Sequence, residues 1–273
     1  MRAVKNSMNA SIRYLVPLLF LAAGCSAPSN PSFNLSVPDG QRALQQMRRN
    51  PKPLQHPLII ISGFADPGVA SGVLKPRFEK LSGDDRMLGL SFAFSTSFDA
   101  AREKLIKAVD ARFPTDDPEQ TTEVDVIAVS MGGLVARHAA APTATTRPAQ
   151  DTRRLRIRRL FTISSPHRGA VLASFPTFNS MHKDMRPGSP FLTALNATPL
   201  DYEIIPYVRL GDNIVGAANA APPGMTPWWV PNQPLENAHA GAFDDSRILA
   251  DIARRLRGEA SFTKPPAMPL PKE

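Results

Sequence analysis

Residues 126 to 133, Val-Ile-Ala-Val-Ser-Met-Gly-Gly, pass from an unbroken apolar run into a glycine pair with one serine at the break. A serine that serves as a nucleophile between a strand and a helix must turn through a strained backbone angle, and its neighbours two residues before and after must be small. Ala128 and Gly132 supply both small residues. A serine that only caps the following helix is also favoured at such a place, but capping does not call for the small flanks. The chemistry that Ser130 offers is therefore acyl transfer. Three further polar groups stand just past apolar runs: Ser62-Gly63-Phe64, Ser165-Pro166-His167 and Asp212.

The elements that must position these groups alternate in type. Leu58 to Ile61, Leu88 to Phe94, Val124 to Val129, Arg158 to Ser164 and Glu203 to Leu210 read as strands. Ser97 to Arg112, ended by Pro114, and Gly132 to Ala140 read as helices. Asp245 to Arg257 reads as an amphipathic helix with Ile248, Leu249, Ile252 and Leu256 on one side, capped by Asp244 or Asp245. Strands alternating with helices predict an α/β fold with a mainly parallel sheet covered on both faces. Ligands of such sheets bind beyond the carboxyl ends of the strands. All four polar groups fall on that edge.

With its Ala-x-Ser-x-Gly turn and Ser-Met-Gly-Gly run, the chain resembles the α/β-hydrolase fold over roughly residues 57 to 257, and within it the lipase and esterase branch. That branch carries a histidine where Val129 stands and commonly a glycine where Ala128 stands. The resemblance implies a catalytic triad in the order serine, acid, histidine. Asp212, in Leu-Gly-Asp-Asn-Ile-Val, matches the acid, with Asp201, Asp244 and Asp245 as the alternatives. His239, in Asn-Ala-His-Ala-Gly ahead of the last helix, matches the base. His56 precedes the first strand, His138 lies in the helix behind Ser130, and His182 belongs to an insertion.

The resemblance also implies an oxyanion hole built from the backbone N–H groups of Met131 and Phe64, in a loop where Ser62 replaces the family's frequent histidine. Ser165-Pro166-His167-Arg168-Gly169 resembles a Thr-Pro-His-x-Gly run of many lipases, which places His167 beside the site and not in the triad. A metal there lacks a paired His and Asp spacing. The implied reaction is hydrolysis of an acyl ester through an acyl-enzyme, with no metal and no organic cofactor. The same acyl-enzyme passed to another alcohol makes an acyltransferase, and a degenerate site would leave a non-catalytic envelope binding module.

Residues 166 to 200 hold Val171, Leu172, Phe175, Phe178, Met181, Met185, Phe191 and Leu192, which predicts a cap or lid over an acyl pocket or a helical insertion packed on the core. Pro227-Trp228-Trp229-Val230-Pro231 offers an aromatic wall or a loop anchor.

At 273 residues, 42% hydrophobic and 21% charged, the chain suits one globular catalytic domain, expected over residues 57 to 260. Residues 1 to 24 have a basic start, an apolar stretch and small residues, the layout of an export signal. Leu-Ala-Ala-Gly-Cys resembles the bacterial lipoprotein signal, which implies lipid on Cys25, the only cysteine, and with Ser26 behind it an outer-membrane address in a Gram-negative cell. No intramolecular disulfide is possible. Proline-rich residues 25 to 56 read as a flexible tether, with one short helical possibility near Gln41 to Arg48, and residues 261 to 273 as a disordered tail.

The formal charge is +8, of which Arg2, Lys5 and Arg13 lie in the leader, leaving +5. Arg153, Arg154, Arg156, Arg158 and Arg159 concentrate that excess at the strand end opposite Ser130, as a solvated edge or a contact for anionic lipid. No nucleic-acid motif accompanies them, which excludes that class of partner.

Overall fold

The computed structural model describes residues 28–142, 153–174 and 179–271. The leader, Cys25, Phe175 and Phe178 lie outside them.

Six strands form one fully parallel sheet: β1 (Leu58–Ile61), β2 (Met87–Leu90), β3 (Val124–Val129), β4 (Ile157–Ile163), β5 (Glu203–Arg209) and β6 (Trp228–Val230). Their spatial order is β2-β1-β3-β4-β5-β6. Eight α-helices accompany them among the described residues: α1 (Val37–Arg49), α2 (Val69–Ser82), α3 (Phe98–Arg112), α4 (Gly132–Ala140), α5 (Ser180–Asp184), α6 (Pro190–Ala197), α7 (Ala238–Ala242) and α8 (Ser246–Leu256).

Side-chain alternation along buried strands divides the core into two layers. Ile59, Ile61, Val126, Ala128 and Leu160 pack against α3, α4, α5 and α6. Leu58, Ile60, Ile127, Val129, Phe161, Ile163 and Tyr207 pack against α1, α2 and α8. Every residue of β1 and β3 is buried, which explains their apolar composition, broken only by Asp125, whose carboxylate is paired with Arg159. The second strand is shorter than its apolar run. Phe92 turns into the core behind it and Phe94 ends 90% exposed.

Residues 28 to 56 are folded, in place of the expected tether. Ser36 caps α1 by accepting from the Asp39 N–H, and a proline sits in the helix's first turn, where its missing donor costs nothing. Gly40 lets α1 cross α8 closely, since a Cβ there would lie 2.8 Å from the Ser246 carbonyl carbon. Phe33 and Met47 are buried. The prolines thus start helices and turns rather than keep the segment open.

The expected disordered tail is also ordered through residue 271. The Lys264 and Met268 N–H groups donate to the Ser32 carbonyl and hydroxyl, at 2.8 and 3.0 Å. Trp229 Nε1 donates to the Met268 carbonyl at 2.9 Å. Trp228 and Trp229 belong to β6, at the sheet edge and away from Ser130, so neither forms an aromatic wall there. Flanking prolines are tolerated because β6 has only one neighbour.

Four of the five clustered arginines face carboxylates: Arg153 with Asp110, Arg154 with Asp201, Arg156 with Glu123 and Arg159 with Asp125. Much of that edge is charge-compensated.

Candidate active site

Ser130 opens the two-residue turn, Ser130-Met131, between β3 and α4 with φ of 51°, in the left-handed region that a side-chain-bearing residue enters at a cost of roughly 1–3 kcal/mol. Crowding on both sides fixes that turn. A Cβ on Gly132 would stand 2.8 Å from Ile61 Cγ2 and 2.9 Å from the Ser62 carbonyl oxygen. On Gly133 it would stand 2.4 Å from Ser165 Oγ. The glycine pair is therefore required by the ends of β1 and β4, which pass on either side of the serine. The Ser130 N–H donates to the Ile163 carbonyl at 2.9 Å, tying the turn to β4.

Asp212 follows β5 by three residues and is 3% exposed. Its Oδ1 accepts from the Ile214 and Val215 N–H groups, both at 3.0 Å, which leaves Oδ2 for a side-chain partner. The turn role and the acid role thus use different oxygens of one carboxylate. Burial pushes this carboxyl up, but the hydrogen bond and charge of His239, with the Val215 N–H, outweigh it and hold the group below its ordinary value.

His239 lies in the first turn of α7, which Asn237 caps by accepting from the Ala240 N–H. Its Nδ1 is 2.8 Å from Asp212 Oδ2, and its Nε2 is 3.1 Å from Ser130 Oγ. The carboxylate can only accept, so Nδ1 carries the hydrogen and Nε2 is left to accept from the serine hydroxyl. The three residues form one hydrogen-bonded chain. Asp201, Asp244 and Asp245 stand elsewhere: Asp201 pairs with Arg154, Asp244 with Arg77, and Asp245 with Arg209 and Arg247.

The loop after β1 runs beside the serine. A Cβ on Gly63 would lie 3.2 Å from Ser130 Cβ. Neither the Phe64 nor the Met131 N–H has an acceptor among the described residues, so both donors are free to meet a bound group. Ser62 Oγ accepts from the Ser71 N–H at 3.1 Å, and Asp66 accepts from the Gly68, Val69 and Ala70 N–H groups. These bonds stitch the loop to the start of α2. Ser62 is thus a tie between loop and helix.

His167 is fully buried, facing Arg137 Nη1 at 3.2 Å through Nδ1 and Thr162 Oγ1 at 3.1 Å through Nε2. Arginine can only donate, so Nδ1 accepts and Nε2 carries the hydrogen. Arg137 also donates to Asn196 Oδ1 and to the Leu195 carbonyl, while Asn196 Nδ2 donates to the His167 carbonyl. His167 therefore anchors the C-terminal end of α6 from below.

The insertion carrying α5 and α6 buries Met181, Met185, Leu192 and Leu195. Phe191 stacks on Phe98 with ring centroids 4.2 Å apart, and the His182 ring lies 5.8 Å from that of Phe64. It is packed on the core and also leans on the loop beside Ser130.

A family model described as a PGAP1-like alpha/beta domain matches residues 101–186. No curated protein matches the chain. Among solved structures, Bacillus licheniformis lipase BlEst2 in mature form is 13% identical with a TM-score of 0.52, over 76% of this chain and 94% of that one. The metagenomic carboxyl esterase MGS0156 is 12% identical with a TM-score of 0.50, over 76% of this chain and 77% of that one. Phospholipase PlaB from Legionella pneumophila, in complex with thio-NAD, is 15% identical with a TM-score of 0.45 over 60% of this chain, which spans only 43% of that protein. Parallel sheet order, a serine turn behind β3 and likeness to the first two structures together establish that the chain has the α/β-hydrolase fold.

Proposed function

We propose that the protein is a serine hydrolase that cleaves carboxylic acyl esters through an acyl-enzyme on Ser130. The observation that carries this reading is the unbroken path from Asp212 Oδ2 through His239 to Ser130 Oγ, with both links at hydrogen-bond length. His239 takes the serine proton as Oγ attacks the ester carbonyl, and Asp212 stabilises the imidazolium that results. The Phe64 and Met131 N–H groups hold the tetrahedral oxyanion. His239 then protonates the leaving alcohol, and water attacking the acyl-enzyme by the reverse route releases the acid.

An apolar acyl group suits the surroundings. Phe64, Phe94, Val171 and Leu172 are exposed at the same edge of the sheet as Ser130, and the insertion leaning on Phe64 serves as the lid. The lipoprotein-like leader supports an exported protein held by lipid on Cys25, at the outer membrane facing the periplasm or the surface.

The test is hydrolysis of p-nitrophenyl esters from short to long acyl chain, with and without an added alcohol, beside Ser130→Ala. Activity that the substitution lowers by about three or more orders of magnitude supports the reading. Ester formation with the alcohol in place of free acid would move it to acyl transfer. A folded protein that cleaves none of the esters and whose Ser130 resists a fluorophosphonate probe would sink it.

A further inference from the structure

Arg209 ends β5, three residues before Asp212, and is 5% exposed. Its guanidinium reaches in three directions, and each leads to the short helix that carries His239. Nε donates to Asp245 Oδ2 at 2.7 Å, and Asp245 is the cap of α8, just behind α7. Nη1 pairs with Glu236, the residue before the α7 cap Asn237. Gly241, inside α7, lies directly on the guanidinium, where a Cβ would stand 2.3 Å from Nη1. Asp245 is itself fixed by Arg247, whose Nη2 also donates to the Pro231 carbonyl at 2.8 Å. One planar cation thus holds both flanks and the floor of α7.

Five-residue α7 has too few internal hydrogen bonds to fix its own orientation. The strand that delivers Asp212 is the strand that holds the helix delivering His239. We propose that Arg209 is a positioning residue, which sets the His239–Asp212 separation by clamping α7 to the end of β5. A planar fork suits this task, since its donors meet two carboxylates at fixed angles, whereas an ammonium is a point charge on a flexible stem that fixes neither angle.

The proposal rests on the reading of Ser130, His239 and Asp212 given above, and the experiment separates the two. The full chain is compared with Arg209→Gln, Arg209→Lys and Arg159→Gln. Arg159 is the matched control, because it is also a guanidinium on a buried aspartate, Asp125, at the opposite end of the sheet. Two readouts are the low-field proton resonance of His239 Nδ1–H and the separate kcat and KM for a soluble short ester. The resonance reports the His239–Asp212 bond even if no ester is turned over.

Arg209→Gln is expected to lose or shift that resonance and to lower kcat about tenfold or more at similar KM. Arg209→Lys falls between it and the parent. Arg159→Gln lowers Tm with resonance and kcat per folded molecule unchanged. An Arg209→Gln protein that loses Tm yet keeps both the resonance and kcat overturns the proposal. Should that variant not fold, Glu236→Gln removes one half-exposed limb of the clamp. A weakened resonance with a roughly two- to fivefold lower kcat then supports the clamp, and no change in either overturns it.

Discussion

Ser130 Oγ and His239 Nε2 lie 3.1 Å apart although 109 residues separate them in the chain. Their meeting depends on the tautomer that Asp212 imposes. Asp212→Asn would present an amide N–H toward Nδ1, favour the other tautomer and leave Nε2 protonated against the serine. Ester hydrolysis at neutral pH should fall by about four orders of magnitude with the fold intact, as read from kcat and circular dichroism.

The glycine pair behind Ser130 predicts a sharp contrast between positions. Gly132→Ala forces a methyl against backbone at the end of β1 and should cost about 1–3 kcal/mol in urea unfolding, with activity lost as well. Gly72, inside α2, has nothing within 4 Å of an added Cβ. Gly72→Ala should stabilise by about 0.4–1 kcal/mol with activity unchanged.

His167 makes stability depend on pH. Burial, followed by the charges of Arg137 and Arg168, holds its imidazole well below the ordinary value of 6.5. The folded state keeps it neutral while the unfolded state binds a proton, so its contribution is complete above about pH 6.5 and declines as pH falls below that. His138 is shifted the same way, mainly by burial, and adds to the slope. A series of Tm values from pH 8 to 5 should decline on the acid side, and His167→Asn should flatten the decline while lowering the plateau.

Removal of residues 261 to 273 should destabilise the domain by about 3 kcal/mol or more in urea unfolding. Buried Asp251 accepts from the Phe262 and Thr263 N–H groups and from Thr263 Oγ1, as well as from Tyr207 and Arg255. Truncation strips three donors from a carboxylate that is fully buried in the intact domain. A truncated chain as stable as the parent would show that the tail only covers the surface.

Strands with strongly apolar runs are legible because burial on both faces favours that composition: Leu58 to Ile61 and Val124 to Val129 lie where the pattern puts them, the one charge, Asp125, being paired with Arg159. Three-residue β6 escaped because two prolines and two tryptophans read as a loop. Helix α2 escaped because Gly72 and Pro76 interrupt its apolar spacing. The prolines near α1 concealed its start, since a helix-starting proline and a tether proline look alike until the partner helix is known. At the site, Ser130, Asp212 and His239 each sit in a short motif and are brought together. Arg209 has no such motif. Its carboxylate partners lie 27 and 36 residues away, so only the packing of α7 and α8 on β5 exposes its connection to the site.

Residues near 30 and residues near 265 complete one another: Ser32 receives the Lys264 and Met268 N–H groups, and α1 lies across α8. During synthesis the early helix therefore lacks its largest partner until the last helix and the stretch behind it have left the ribosome. Contacts so far apart in sequence form late and slowly. Until then the domain lacks the seam between residues near 30 and residues near 265 that closes it.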